Sequence, residues 1–141
     1  MLKIELNPTK DHLSEIKSWL KEERESTGEG FFCNWGVIER AFQNELVLIG
    51  LMEDKPIGFI VYYFSVPKLI YHIIEIKPSH RKKRFGKLLF LESIVHFKKK
   101  GVKKVEVDSI NEESYQFCHN LGFIIDDEPT VKSSNSLKLS I

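Results

Sequence analysis

Five cations crowd the seven residues Arg81 to Lys87 of this chain. From Ile74 to Phe90 the sequence reads IEIKPSHRKKRFGKLLF: an extended apolar stretch, a proline, then Arg81, Lys82, Lys83, Arg84 and Lys87 around Gly86, and finally an apolar run of helical character. A helix start leaves its first backbone N–H groups unpaired and carries the positive end of the macrodipole, so an anion is stabilised there. The cationic side chains reinforce those donors, and Gly86 removes a Cβ where a ligand must come close. The chemistry this implies is anion binding, and a pyrophosphate suits the loop. The same residues also describe a solvated basic turn ahead of an ordinary core helix.

A second motif lifts the first reading. Asn111 to Phe123, NEESYQFCHNLGF, has the pattern of a short helix closed by Gly122, a glycine well placed just past a helix end. Together the two segments resemble the GNAT superfamily of acyl-CoA N-acyltransferases. Ile76, Pro78, Arg81, Gly86, Leu89 and Phe90 fall in register with the family's loop signature. Asn111, Phe117, Leu121, Gly122 and Phe123 meet the second. Two motifs at the family's separation are more specific than either alone. The resemblance implies a mixed α/β (α+β) fold: a twisted, mostly antiparallel central sheet of roughly six or seven strands with helices on both faces. It implies direct transfer of an acetyl group from acetyl-CoA to a primary amine of a small molecule or protein. The alternative of another class is a GNAT-like acyl-CoA-binding or regulatory module with little catalysis.

What the resemblance implies can be carried onto individual residues. The pantetheine arm of acetyl-CoA would pair with the backbone of Ile74, Glu75 and Ile76 like an added strand, and a backbone N–H there would hold the thioester oxygen. Arg81, Lys82, Lys83, Arg84, Phe85, Gly86 and Lys87 would surround the pyrophosphate, and Asn111 would contact the cofactor arm or cap its helix. An amine with a pKa near ~10.4 is protonated at neutral pH, so a base is needed. Glu106, in VEVDS, is the candidate base and would face the same crevice as the helix holding Cys118; otherwise it is an exposed strand carboxylate. Glu75 is the runner-up, and Asp108 shares a face with Glu106.

Two departures from the family pattern stand out. Arg84 replaces the first of its two loop glycines, which calls for an ordinary φ there. Cys118 replaces its tyrosine general acid, so the acid is Cys118, or Tyr115 three residues earlier, or neither. A small buried thiol packing beside Phe117 and Leu121 is the plainest reading of Cys118. Asp126, Asp127 and Glu128 either border an acceptor entrance that favours cationic amines or form a solvated acidic turn.

The positions of these groups depend on the surrounding elements. At 141 residues the chain has the size of one domain, 1–141. A net charge of +1 gives no electrostatic case for nucleic acid or an anionic membrane. A third reading, the basic clusters Arg81 to Lys87 and Lys98 to Lys104 as an RNA-contacting surface, is disfavoured by that same balance. No apolar run approaches the ~20 residues of a membrane helix, which points to the cytoplasm. Cys33 and Cys118 read as free thiols, and no spacing suggests a metal.

Apolar periodicity predicts a strand at Leu2 to Leu6, helices near Asp11 to Arg24 and Val37 to Gln43, and a hairpin joining Leu46 to Met52 with Ile57 to Phe64. A strand at Leu69 to Ile76 leads into the loop. The next helix shows an apolar face of Leu88, Leu91, Ile94 and Val95, expected to cover the sheet. Val102 to Val107, the Asn111 helix, Phe123 to Ile125 and Ser136 to Ile141 complete the order β, α, α, β, β, β, α, β, α, β, β. Pairing through the last strands, common in the family, leaves a homodimer open.

Overall fold

The structure, a computed structural model, describes residues 1–65, 67–108, 112–125 and 136–141. Its elements run β1 (Lys3–Glu5), α1 (Lys10–Thr27), α2 (Trp35–Gln43), β2 (Val47–Met52), β3 (Lys55–Ser65), β4 (Lys68–Ile76), α3 (Phe85–Lys99), β5 (Lys104–Asp108), α4 (Glu112–Asn120), β6 (Ile124–Ile125) and β7 (Ser136–Ser140). The order is the one read from periodicity, with short 3-10 turns added at Phe31–Asn34 and Pro78–His80. Seven strands stand in the order β1-β2-β3-β4-β5-β7-β6. The sheet is mixed: β4 pairs with β5 in parallel, whereas β1–β2, β2–β3, β5–β7 and β6–β7 are antiparallel. Backbone contacts divide the chain into two compact units, Met1–Val61 with Ile73–Glu92 and Tyr62–His72 with Ser93–Ile141.

In the first unit α1 begins with a capping box. The Thr9 hydroxyl accepts from the His12 backbone N–H at 3.2 Å, and the His12 ring nitrogen Nδ1 accepts from the Thr9 backbone N–H at 3.1 Å. Gly28, at φ 74°, closes the helix in the left-handed conformation. Ile16, Trp19 and Leu20 pack on Ile38 and Ala41 of α2 and on Val47, Ile49, Leu51, Phe59 and Ile73 of the strands. The β2–β3 connection is tighter than the sequence suggests. Glu53 and Asp54 take φ 51° and 63°, the mirror-image turn whose twist matches paired strands. Lys55 and Pro56 already belong to β3, and Pro56 sits opposite Leu51 where the register shifts at a bulge, a position where its missing N–H is tolerated.

In the second unit the packing of α3 corrects the expected apolar face. Phe97 and Ser93 are buried, as are Leu89 and Phe90 earlier in the helix, while Leu88, Leu91 and Val95 are exposed. The helix is apolar on nearly every side, so periodicity alone did not single out one stripe. The serine at the centre of the true buried stripe disguised it. Ser93 shares a 2.6 Å hydrogen bond with the buried hydroxyl of Tyr71, which satisfies both polar groups inside the core. Phe97 is ringed by Tyr62, Phe64, Tyr71 and His96, with the Tyr62 centroid 4.9 Å away in an edge-on arrangement. This packing predicts that Phe97→Ala lowers unfolding free energy by about 3–5 kcal/mol. Val95→Ala, on the supposed core face, should stay within about 0.5 kcal/mol of wild type. Urea denaturation of the two variants checks both values.

Candidate active site

The site is best built from the glycines of the β2–β3 ladder, which the sequence reading did not use. Gly50 and Gly58 are cross-strand partners. A Cβ on Gly58 would stand 2.6 Å from the Ile76 side chain, 3.0 Å from the Glu75 carbonyl and 3.2 Å from the Leu89 side chain. A Cβ on Gly50 would meet Leu89 and Leu2 at 3.1 and 3.0 Å. The pair leaves room for the end of β4 and the first turns of α3 to approach the ladder. Lys77, the next residue, donates its backbone N–H to Ile57 at 2.7 Å. Both flanks of the basic loop are thereby seated on the same stretch of β3.

Between those flanks the loop turns on two left-handed residues, Lys82 at φ 61° and Arg84 at φ 66°, with Lys83 between them outside that region. Alternation of this kind turns successive backbone N–H groups toward one side, the geometry of an anion-binding nest. The Leu88 N–H bonds to the Arg84 carbonyl at 3.0 Å, which marks the first intrahelical bond of α3 and leaves the N–H groups of Phe85, Gly86 and Lys87 at the helix start. Lys82, Lys83, Arg84 and Lys87 are exposed around it. The donor set fits a pyrophosphate. One expectation is corrected: Arg84 takes a left-handed φ rather than an ordinary one.

Arg81 is also placed differently from expectation. Its guanidinium does not point out with the other cations. Nε donates to the Ile76 carbonyl at 2.9 Å, Nη1 reaches a Glu23 carboxylate oxygen at 2.5 Å, and Nη2 bonds to the Glu75 carboxylate. Glu23 and Glu75 are both largely buried, with side chains 7% and 10% exposed, against 38% for Arg81. Burial pushes the Glu75 carboxyl up to about 7, a shift that Arg81 opposes and the Glu23 charge adds to. Glu23 was missed by the sequence reading. Its signal was available, since it continues the Ile16, Leu20 stripe of α1 where an apolar residue would be expected.

The remaining candidates are in the second unit. Glu106 is buried rather than exposed, and Lys68 lies 3.5 Å from it. It does not share a crevice with Cys118. Val105 and Val107 pair with Leu139 and Leu137, and Leu139 lies 3.4 Å from where a Cβ on Gly122 would stand, at the end of α4. Glu106 alternates to the opposite face of β5, so the period of the strand separates the two residues. Cys118 is a free, buried thiol that desolvation pushes up to about 11. Asn111, Asp126, Asp127 and Glu128, and the side chains of Tyr115 and Asp108, lie outside the described residues. The parallel β4–β5 pairing stops at Tyr71 opposite Val107, and β4 runs on to Ile76.

The family model described as acetyltransferase (GNAT) family matches residues 9–123. The chain belongs to the GNAT acetyltransferase family. Solved structures carry the same fold. The PaiA N-acetyltransferase of Thermoplasma acidophilum in complex with coenzyme A is 19% identical, with a TM-score of 0.77 over 100% of this chain and 99% of that one. Ard1 from Thermoplasma volcanium is 15% identical, with a TM-score of 0.73 over 99% and 97%. The ribosomal-protein-S18-alanine N-acetyltransferase from Escherichia coli is 16% identical, with a TM-score of 0.67 over 100% and 94%. No curated protein matches the sequence. As in other GNAT chains the loop signature precedes a helix, but here an arginine holds the left-handed position. A non-glycine residue there costs about 1–2 kcal/mol, partly offset by the greater unfolded-state freedom of glycine. Arg84→Gly is therefore expected to raise unfolding free energy by about 0.5–1 kcal/mol, measured by chemical denaturation without ligand.

Proposed function

We propose that this GNAT chain, acting as one domain over residues 1–141, moves an acetyl group from acetyl-CoA directly to a primary amine of a small molecule or protein. The observation that carries this reading is the buried carboxyl of Glu75, held by Arg81 on the strand that feeds the basic loop and pushed up to about 7 by burial. Acetyl-CoA supplies the activated thioester. The backbone donors from Lys82 to Lys87 hold its pyrophosphate, and the Ile74 to Ile76 backbone aligns its pantetheine arm.

Glu75 takes the proton. An ammonium N–H bond breaks and a carboxyl O–H bond forms; the freed amine lone pair attacks the thioester carbon to form the C–N bond, the C–S bond breaks, and coenzyme A leaves as a thiolate that takes up the proton shed by the new amide nitrogen. A carboxylate with a proton affinity near the working pH is suited to this task, because about half of it is ionised there and it is still basic enough to take the proton. Cys118, held protonated by burial, does not act as an acyl carrier, since the thiolate and not the thiol is the nucleophile. Glu106, beside Lys68, is the second reading for the base: it is a buried carboxylate on the strand parallel to β4. Action in the cytoplasm and pairing of two copies belong to the same proposal. Among the described residues no helix is long and apolar enough to cross a membrane.

Calorimetric titration with acetyl-CoA tests the cofactor, with Gly86→Glu expected to abolish binding by filling and repelling the pyrophosphate site. Turnover is then followed by thiol release over a panel of amines. Binding without turnover of any amine would favour the regulatory-module alternative. Where turnover is found, Glu75→Gln should lower kcat by about 10²–10⁴-fold while leaving acetyl-CoA binding intact. The base must be ionised, so wild-type kcat/KM should rise with pH through about 7, and this limb should vanish in Glu75→Gln. If Glu106→Gln instead shows the loss and Glu75→Gln does not, Glu106 is the base.

A further inference from the structure

Glu23 is a charged residue on the buried stripe of α1, and the fold makes specific room for it. A Cβ on Gly30 would stand 2.5 Å from its Oε1 atom, so its carboxylate occupies the space a side chain at position 30 would fill. Its Oε2 atom bonds to Arg81 at 2.5 Å. Two carboxylates therefore share one guanidinium, and the third bond of Arg81 goes to the Ile76 carbonyl at the end of β4. A guanidinium carries one positive charge, so with both acids ionised the cluster is net negative in a largely desolvated place. Proton uptake by Glu75 relieves that excess, and the Glu23 charge is one of the causes that push the Glu75 carboxyl up.

We propose that Glu23 is a positioning residue: it anchors Arg81, and through Arg81 it fixes the Glu75 carboxylate at the end of β4, so that the two acids share one guanidinium. This rests on the reading of Glu75 as the base. The charged groups that bear on Glu75 are Arg81 from the loop, which favours its ionised form, and Glu23 from α1, which opposes it. Removing the Glu23 charge takes away the repulsion and leaves the guanidinium to Glu75 alone. Both effects make Glu75 hold its proton less tightly.

The test is a carbon-13 NMR titration of side-chain carboxyls in glutamate-labelled protein, with the Glu75 resonance assigned by its loss in Glu75→Gln. In Glu23→Gln the Glu75 midpoint should fall from about 7 by roughly one pH unit or more, and the acid limb of kcat/KM should move down with it. Glu23→Asp, which keeps the charge, should stay within about half a unit of wild type. A midpoint in Glu23→Gln that is unchanged or higher overturns the proposal. A midpoint that falls while the activity limb stays put supports the role of Glu23 and overturns Glu75 as the base. The wild type supplies a reading that does not depend on any variant folding: the Glu75 resonance should titrate with a midpoint of about 7, and a midpoint in the ordinary carboxylate range overturns the proposal.

Discussion

The three-way bond of Arg81 organises the candidate active site. One guanidinium gathers a carboxylate from α1, a carboxylate from β4 and a backbone carbonyl at the end of β4. A planar fork with five donors can do this where a lysine ammonium could not. The consequence is that the residue which looks most like a phosphate ligand in the sequence serves inward, as the tie between a helix, a strand and the loop. The backbone donors of the nest and the outward cations, Lys82, Lys83, Arg84 and Lys87, are left at the helix start as a donor set whose chemistry fits an anion. The chain thus separates two electrostatic tasks that the cluster of five cations seemed to merge.

That separation sets the proton chemistry. Desolvation alone would push Glu75 well above the ordinary carboxylate range, and Arg81 alone would pull it below. Burial wins, with help from Glu23, and the balance lies near neutrality, where a base for ammonium deprotonation is useful. The cost is a cluster that is net negative when ionised. It is borne by a well-packed first unit whose aliphatic and aromatic core surrounds Ile16, Trp19 and Leu20. The strained φ of Lys82 and Arg84 is a further cost at the same loop, as expected where backbone geometry is shaped for a ligand.

Much of the fold could be read along the chain. The continuous apolar runs Leu46 to Met52 and Ile57 to Phe64, the polar break between them and the apolar stripe of α1 are all properties of neighbouring residues. Hence the order of elements emerged intact, and so did the family. The boundaries moved by only a few residues. Where reading failed, several answers were locally equivalent. α3 is apolar on most sides, and Ser93 hid its buried stripe until Tyr71 supplied the partner for its hydroxyl.

The sequence by itself determined the element order, the family and a basic loop ahead of a helix, because periodicity, turn chemistry and helix starts act over a few residues. Tertiary structure alone decided that Arg81 turns inward, that Glu23 joins Glu75, that Glu106 and Cys118 part to opposite faces of the sheet, and that Arg84 takes a left-handed turn. Those outcomes depend on which groups meet across long stretches of chain and on how much water is left around them. Charge pairing and desolvation are set through space, and no local pattern encodes them.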